Sequence, residues 1–252
     1  MQQQDDRLFG KYRGKVTSTK DPLKLGRIQV QVPSVFADGR ANWAMPCTPY
    51  AGKDIGFFTV PPIESNVWIE FEAGNREYPI WSGCFWGDHE LPEYALVEEQ
   101  DKVQIFRTQG MTITLNNAGL HHGLTNGLTI EVESDTVDRK LKMIFDGEGI
   151  EINNKDETTI KIRADTIELD NRGSSTITIA QDYILSKESA VEFKQTTSTI
   201  ELINSPSTIK MTTSNIESAV SQAKVQISFS GVDIQSGGAG KINVGLANTS
   251  IN

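Results

Sequence analysis

The sequence predicts an all-β protein with an N-terminal barrel and a C-terminal ladder of short stacked strands. Composition changes along the chain, since all four Trp and both Cys lie before residue 87 and eight of nine Pro lie before residue 93. From about residue 106 onward, a Thr-Ile motif recurs with apolar and polar side chains in alternation, the period of a half-buried strand. Its clearest copies are at 112–115, 129–132, 159–162, 166–169, 176–179, 199–202 and 208–211.

Repeats of this kind are too short to enclose a core of their own, so they must stack on one another. We expect the inward side chains of the ladder to form a dry axial core. The alternation alone leaves open whether three intertwined chains or one self-coiled chain encloses it. Its predicted members are Ile113, Ile130, Ile160, Ile162, Ile167, Ile177, Ile179, Ile200 and Ile209.

Residues 11–87 predict a small antiparallel barrel, preceded by an N-terminal tail at 1–10. Glycines supply turn conformations that other residues resist, prolines end strands, and aromatic side chains fill a barrel too small for a ligand cavity. Five strands, expected at 12–19, 27–32, 43–49, 66–72 and 78–85, suit an OB-type barrel. The residues expected to shape it are Gly26, Trp43, Pro46, Gly56, Trp68, Gly74 and Gly83.

The acidic, proline-punctuated stretch at 88–108 is interpreted as a connector, and 109–252 as the strand ladder. The chain carries 24 Lys and Arg against 33 Asp and Glu, a net charge of −9. This charge argues against binding to a phosphate backbone. We expect Cys47 and Cys84 to be buried thiols. The start of the sequence does not resemble a signal peptide, so we expect assembly in the cytosol.

The barrel region resembles the OB domain of contractile-injection-machine spikes. This family includes phage baseplate assembly protein V, the phage cell-puncturing protein, and the valine-glycine repeat protein G (VgrG) of type VI secretion. The resemblance is an ordered series over roughly residues 11–87, followed directly by a β-ladder. The matching segments are 26–33 (GRIQVQVP), 43–46 (WAMP), 50–52 (YAG), 56–58 (GFF), 61–62 (PP), 66–74 (NVWIEFEAG) and 78–83 (YPIWSG).

The resemblance implies a homotrimer whose ladder is an intertwined triangular β-helix. It also implies a structural spike that pierces membranes and makes transient contact with them. The hub portion that precedes the barrel in valine-glycine repeat proteins is not in this sequence, so a separate trimeric hub protein is implied at the OB domain. We expect the chain to lie in the baseplate of a virion or injection particle.

The C-terminal end predicts a docking surface for a second partner. Some phage spikes close their apex with a His-x-His metal site, but residues 237–252 contain no His, Cys, Asp or Glu. Blunt-ended relatives dock a separate tip protein of the proline-alanine-alanine-arginine repeat (PAAR) type. We expect the same here, near Val244, Leu246 and Ile251.

For the other candidate sites, a structural role is a simpler interpretation than binding or catalysis. His121 and His122 are the only histidine pair and could hold a metal ion on a three-fold axis, although adjacent strand residues point to opposite faces. The carboxylate pairs Glu131/Glu133 and Glu70/Glu72 could serve glycoside hydrolysis, but no aromatic platform accompanies the ladder pair. Charge on a ladder surface normally serves solubility and discourages edge pairing.

Two further motifs predict no site. The segment 237–241 (GGAGK) departs from a phosphate-binding loop, because Gln235 replaces the first glycine and Ile242 replaces the Ser or Thr. Trp68 and Arg27 could stack and bind single-stranded nucleic acid, but the domain is acidic.

The sequence thus predicts a structural spike that is not an enzyme and binds no cofactor, metal or nucleic acid. The alternative is a trimeric β-helical tail fibre or tailspike that binds or degrades surface polysaccharide.

Overall fold

The computed structural model describes residues 7–133, 140–154, 158–171, 175–238 and 240–245. Its strands fall into two compact units, divided after Leu91. The first unit contains a closed five-stranded barrel and a small two-stranded hairpin. Its strands are β1 (Tyr12–Ser18), β2 (Ile28–Gln31), β3 (Ala41–Pro46), β4 (Ala51–Gly52), β5 (Ile55–Gly56), β6 (Asn66–Phe71) and β7 (Pro79–Cys84).

The barrel has the strand order β1-β2-β3-β7-β6 and closes where β6 pairs with β1. All pairs are antiparallel except β3 with β7, which is parallel. Alternate residues of β6 point inward, so Val67, Ile69 and Phe71 are buried while their neighbours are half-exposed. The core they join is filled by aliphatic and aromatic side chains, namely Val16, Ile28, Val30, Val32, Phe36, Ala44 and Trp81.

The second unit is built on one antiparallel sheet of sixteen strands in strict sequence order. Each strand pairs with its neighbours in the same chain. The strands are β8 (Val103–Arg107), β9 (Met111–Asn116), β10 (Gly127–Glu133), β11 (Lys140–Asp146), β12 (Gly149–Asn154), β13 (Thr158–Ile162), β14 (Thr166–Asn171), β15 (Ser175–Ala180), β16 (Tyr183–Glu188), β17 (Val191–Thr196), β18 (Thr199–Asn204), β19 (Ser207–Thr212), β20 (Asn215–Val220), β21 (Ala223–Ser228), β22 (Gly231–Gln235) and β23 (Lys241–Gly245).

Helical structure in the described residues is confined to three short 3₁₀ turns, Glu72–Gly74, Glu93–Ala95 and Gln100–Lys102. Strands account for 57% of the structure. The predicted all-β fold with an N-terminal OB-like barrel is therefore confirmed, and the long sheet is consistent with a β-helix-like C-terminal part. The first strand of that sheet, β8, lies inside the range that the sequence suggested as a connector.

Glycines at strand starts let successive strands lie close together. Gly127, Gly149 and Gly231 have φ of +133°, +144° and +140°, a region that favours glycine. A Cβ atom on Gly149 would lie 2.0 Å from the carbonyl oxygen of Ile162 on the neighbouring strand. The turn into β12 therefore requires a residue without a side chain.

One long loop interrupts the meander, at 117–126 between β9 and β10. Asn116 is buried, and its Nδ2 donates to the carbonyl oxygens of Gly119 and Thr125 at 2.8 and 2.9 Å. Leu124 is fully buried at the centre of the loop. Because Asn116 lies on the side of the sheet that carries Thr112 and Thr114, the loop covers that side of the first strands.

Candidate functional site: an uncovered apolar face

The register of the long sheet collects its apolar side chains on one face. Paired residues in an antiparallel sheet share a face, so each ladder can be followed from β8 to β23. One file of side chains runs Phe106, Ile113, Ile130, Met143, Ile152, Ile160, Leu169, Ile177, Ser186, Phe193, Leu202, Ile209, Ser218, Val225, Ile234 and Ile242.

A second file lies beside the first on the same face. It runs Gln104, Leu115, Leu128, Phe145, Ile150, Ile162, Ile167, Ile179, Ile184, Gln195, Ile200, Met211, Ile216, Ile227, Val232 and Val244. We call these two files together the apolar face. All nine isoleucines that the sequence analysis proposed as an axial core lie on it.

The apolar face is exposed to a degree that is unusual for its composition. Ile160, Ile177 and Ile209 keep 37%, 39% and 43% of their surface accessible. On the opposite face, the carboxylate-bearing side chains of Glu151 and Glu201 are only 21% and 22% exposed. A monomer rarely exposes a continuous apolar patch larger than a few hundred Å². The apolar face therefore has the character of an interface.

Ion pairs order the opposite face, which we call the polar face. Lys210 Nζ lies 2.6 Å from Glu201 Oε1, Lys224 Nζ lies 2.6 Å from Glu217 Oε2, and Lys187 Nζ lies 2.9 Å from Glu192 Oε1. The hydrogen bond from Lys210 to Glu201 raises the pKa of the lysine, and the negative charge of Glu201 adds to the effect. Both partners of each pair remain partly exposed, so we expect the pairs to favour the observed register more than they add stability.

The backbone limits what could cover the apolar face. Every strand between β8 and β23 already pairs on both sides within its own chain. A partner would therefore meet this face through side chains, by apolar packing, and not by adding strands along its length.

The barrel unit has a separate apolar surface, around a cleft of about 870 Å³. Its walls include Tyr50, Ile55, Phe57 and Phe58, each more than half exposed. The β4–β5 hairpin supplies part of this surface. Such a concentration of exposed aromatic side chains on a small domain is typical of a protein contact.

The prediction that the two thiols are buried is wrong. Cys47 and Cys84 are exposed, unbonded thiols, and both border the same cleft. Cys47 follows the last residue of β3 and Cys84 ends β7, so each lies at the barrel rim, where strand alternation no longer places a side chain in the core. Partial burial nevertheless raises the pKa of the Cys84 thiol.

Asp21 organises the β1–β2 connection, a role that was not predicted from the sequence. Its carboxylate accepts hydrogen bonds from the backbone N–H groups of Leu23 at 3.0 Å and Leu25 at 2.7 Å. It also pairs with Arg27, whose Nη2 lies 2.7 Å from Oδ1. These bonds, above all that with Arg27, hold the pKa of Asp21 far below its usual range. The sequence feature that could have predicted this role is an Asp directly before a Pro-containing turn.

The predicted OB residues take structural positions in the barrel unit. Gly26 and Gly74 have φ of +74° and +79°, in the left-handed region. The guanidinium of Arg27 lies 5.3 Å from the ring of Trp43, and the ring of Trp68 lies 4.7 Å from that of Phe85. Pro46, Gly56 and Gly83 border the exposed cleft.

The proposed nucleic-acid pair is engaged within the protein. Arg27 is committed to Asp21 and Trp43, while Arg13 and Phe85 pack on Trp68. The geometry therefore gives no open basic and aromatic platform around Trp68 and Arg27.

The histidine pair lies in the loop 117–126. The rings of His121 and His122 are 5.8 Å apart, and His122 Nδ1 lies 3.7 Å from Glu93 Oε1. Within the described ranges, no group of three or more His, Cys, Asp or Glu side chains is arranged to hold a metal ion.

The carboxylate pairs are parts of the fold. Glu131 is buried with Lys142 Nζ at 3.9 Å, whereas Glu133 is exposed at the end of β10. Lys11 lies 2.9 Å from Glu70 and lowers its pKa, while Glu72 begins a 3₁₀ turn. Neither arrangement has the paired free carboxylates of a glycosidase.

The remaining candidates lie at the C-terminal end. The glycine-rich segment after Gln235 is followed by strand β23, whereas a phosphate loop is followed by a helix. Val244 is exposed on the apolar face, and Leu246 and Ile251 lie outside the described residues. The described part of the chain contains no helix long and apolar enough to span a membrane.

Comparison with known families identifies the first unit. Residues 12–86 match the model of the type VI secretion system/phage-baseplate injector OB domain. This range contains all seven strands of the first unit. No curated protein sequence matches the chain. The match covers less than half of the 252-residue chain, so it assigns the first unit to this type of domain and leaves the second unit unassigned.

Proposed function

We propose that this chain, whose first unit is similar to an injector OB domain, is the membrane-piercing central spike of a contractile tail or phage-like injection system. In the working form, three copies bring their apolar faces together as an intertwined, triangular β-helix. The single observation that carries this proposal is the apolar face, which is continuous over sixteen strands and uncovered within one chain.

Self-association accounts for the two faces of the sheet. Three identical apolar faces can enclose one dry interior, since every copy offers the same two files of side chains. The polar face, with its Lys–Glu pairs, then remains in contact with water. An isolated sheet has only one way to remove so many apolar side chains from water, which is to pack them against another apolar surface.

The proposed mechanism is mechanical. Sheath contraction would drive the tube and spike through the target envelope, with the shaft making transient contact with the membrane. Bending such a shaft breaks strand pairing within each chain and apolar packing between chains at the same time. Fifteen strand spacings of about 4.8 Å correspond to a sheet roughly 70 Å long.

The two ends of the chain offer distinct partner surfaces. The aromatic surface of the OB domain, which includes Tyr50, Phe57 and Phe58, suits docking to a separate trimeric hub protein. The C-terminal end suits a PAAR-type tip protein, with Val244, Leu246 and Ile251 as proposed contacts. We place the assembled protein in the baseplate of a virion or injection particle, after assembly in the bacterial cytoplasm.

The proposed spike requires no catalysis, cofactor or nucleic acid. The carboxylates considered for hydrolysis have structural surroundings: Glu70 pairs with Lys11, and Glu131 is buried beside Lys142. A polysaccharide-degrading fibre would need a catalytic pair and an aromatic platform, which these positions do not supply.

Electron microscopy of the purified chain tests this proposal. Class averages should contain a rod roughly 70 Å long, with three-fold symmetry in end views. A compact particle without rod or symmetry would contradict it. A variant truncated after Leu91 is the matched control and should lose the rod.

A further inference from the structure

Polar side chains interrupt the apolar face at three levels: Gln104 on β8, Ser186 with Gln195 on β16 and β17, and Ser218 on β20. In the second file, Gln195 on β17 is the only polar residue between Leu115 and Val244 within the described residues. Its direct cross-strand partners are Ile184 and Ile200. In the first file, Ser186 lies on the adjacent strand β16, diagonally across from Gln195. Among the described residues, this is the level at which both files carry a polar side chain on two neighbouring strands, whereas Gln104 and Ser218 each interrupt one file.

The part of the chain that the structure describes offers the carboxamide of Gln195 no partner. Among the described residues, the side chain makes no hydrogen bond, and it is exposed. Ser186 lies between Ile177 and Phe193, so the large ring of Phe193 lies beside the small serine side chain. Packing thus explains the serine, but it does not explain an amide between two isoleucines.

We infer that Gln195 forms a polar layer inside the assembly, where the carboxamides of three copies bond to one another. This inference rests on the proposed trimer, in which symmetry places all three Gln195 side chains at one level. Each Nε2–H can donate to the Oε1 of the next copy. The remaining amide hydrogens can reach the Ser186 hydroxyls, because diagonal neighbours are within reach of a long side chain.

The layer would specify how the chains align. The Thr-Ile motif makes many strands alike, so a shift of one chain by a hairpin would still bury isoleucine against isoleucine. A shifted chain would instead bury the Gln195 amide against apolar side chains, which is unfavourable without a hydrogen-bond partner. One buried polar residue in an apolar seam fixes register and oligomeric state in coiled coils, at a cost in stability. Gln195 is placed to do the same here.

Two substitutions at this position test the layer in the 252-residue chain. Gln195→Leu removes the polar group and should raise the melting temperature of the trimer. Gln195→Glu places three carboxylates at one level and should abolish the trimer at pH 7. Assembly should return at pH 4, because apolar surroundings and like charges both raise a carboxyl pKa.

Thr208→Glu is the matched control, because Thr208 lies on the polar face opposite Ile203 and Ala219. We expect it to form trimers at both pH values, as measured by native mass spectrometry. A Gln195→Glu trimer at pH 7 with the wild-type melting temperature would overturn the layer while leaving the proposed trimer intact. A wild-type chain that is monomeric would instead overturn the proposed trimer itself.

Discussion

A charge placed on the apolar face tests the proposed interface most sharply. Ile177 lies near the middle of the sheet, on β15, between Leu169 and Ser186. Neither neighbour can neutralise a carboxylate. We therefore expect Ile177→Asp to prevent trimer assembly, while leaving the pairing of β15 with its neighbours intact.

The magnitude follows from the exposure of Ile177, which is 39% in the single chain. Full burial of an isoleucine contributes about 1.5–3 kcal/mol, so covering the remaining part contributes about 1 kcal/mol per chain. Three copies lose about 3 kcal/mol of packing on substitution. Burial of three unpaired carboxylates adds several kcal/mol per ion, for a total on the order of 10 kcal/mol.

Sedimentation velocity and circular dichroism separate assembly from folding in this experiment. The Ile177→Asp chain should sediment as a smaller species than the wild type and retain its β-sheet spectrum. Thr208→Asp is the control on the polar face and should assemble normally. An Ile177→Asp chain that assembles as the wild type does, with the same denaturation midpoint, would refute the assignment of this face to the interior.

Three further predictions concern the described structure. Asp21→Asn should lower the melting temperature of the barrel unit. Folding depresses the pKa of Asp21, so the stabilisation by its carboxylate is present above the unfolded-state pKa of about 3.9 and is lost as the pH falls below it. The difference in melting temperature between the variant and the wild type should therefore shrink in acid. Gly149→Ala should destabilise the sheet, because its Cβ would lie 2.0 Å from the Ile162 carbonyl oxygen, whereas Gly147→Ala has no atom within 4 Å and should melt as wild type does. In a Cys47→Ser chain, Cys84 should react with iodoacetamide in the native state, but more slowly at pH 8 than in urea, because partial burial raises its pKa; equal rates in the two states would contradict this.

Much of the fold could be predicted from the sequence, because the patterns that specify its strands lie within short segments. In β6, the alternation of Val67, Ile69 and Phe71 with polar neighbours predicts one buried face, and the structure has it. The Thr-Ile motif likewise predicts strands wherever it occurs. The turn glycines and prolines of the barrel region made the closed five-stranded arrangement the natural expectation.

Other features depend on relations between distant residues. The cysteines were expected in the core because their neighbours are apolar, but Cys47 and Cys84 lie at strand ends, where alternation stops. The role of Asp21 arises from one turn that brings three backbone N–H groups and Arg27 to a single carboxylate.

The polar level at Gln195 could not be read from the repeat either. The segment 183–196 departs from the Thr-Ile motif. Comparison with the other repeats therefore does not show on which face of the sheet the Gln195 side chain lies. Only the pairing of Gln195 with Ile184 and Ile200 shows that it shares a face with the isoleucines.

Native mass spectrometry of the 252-residue chain tests the proposed trimer. One chain has a mass of 27.8 kDa, so we expect a dominant species of three times that mass, 83.4 kDa. This species should persist on dilution, because apolar packing along sixteen strands holds it together. A dominant 27.8 kDa species at micromolar concentration would contradict the account, since the apolar face would then have no second and third copy to cover it.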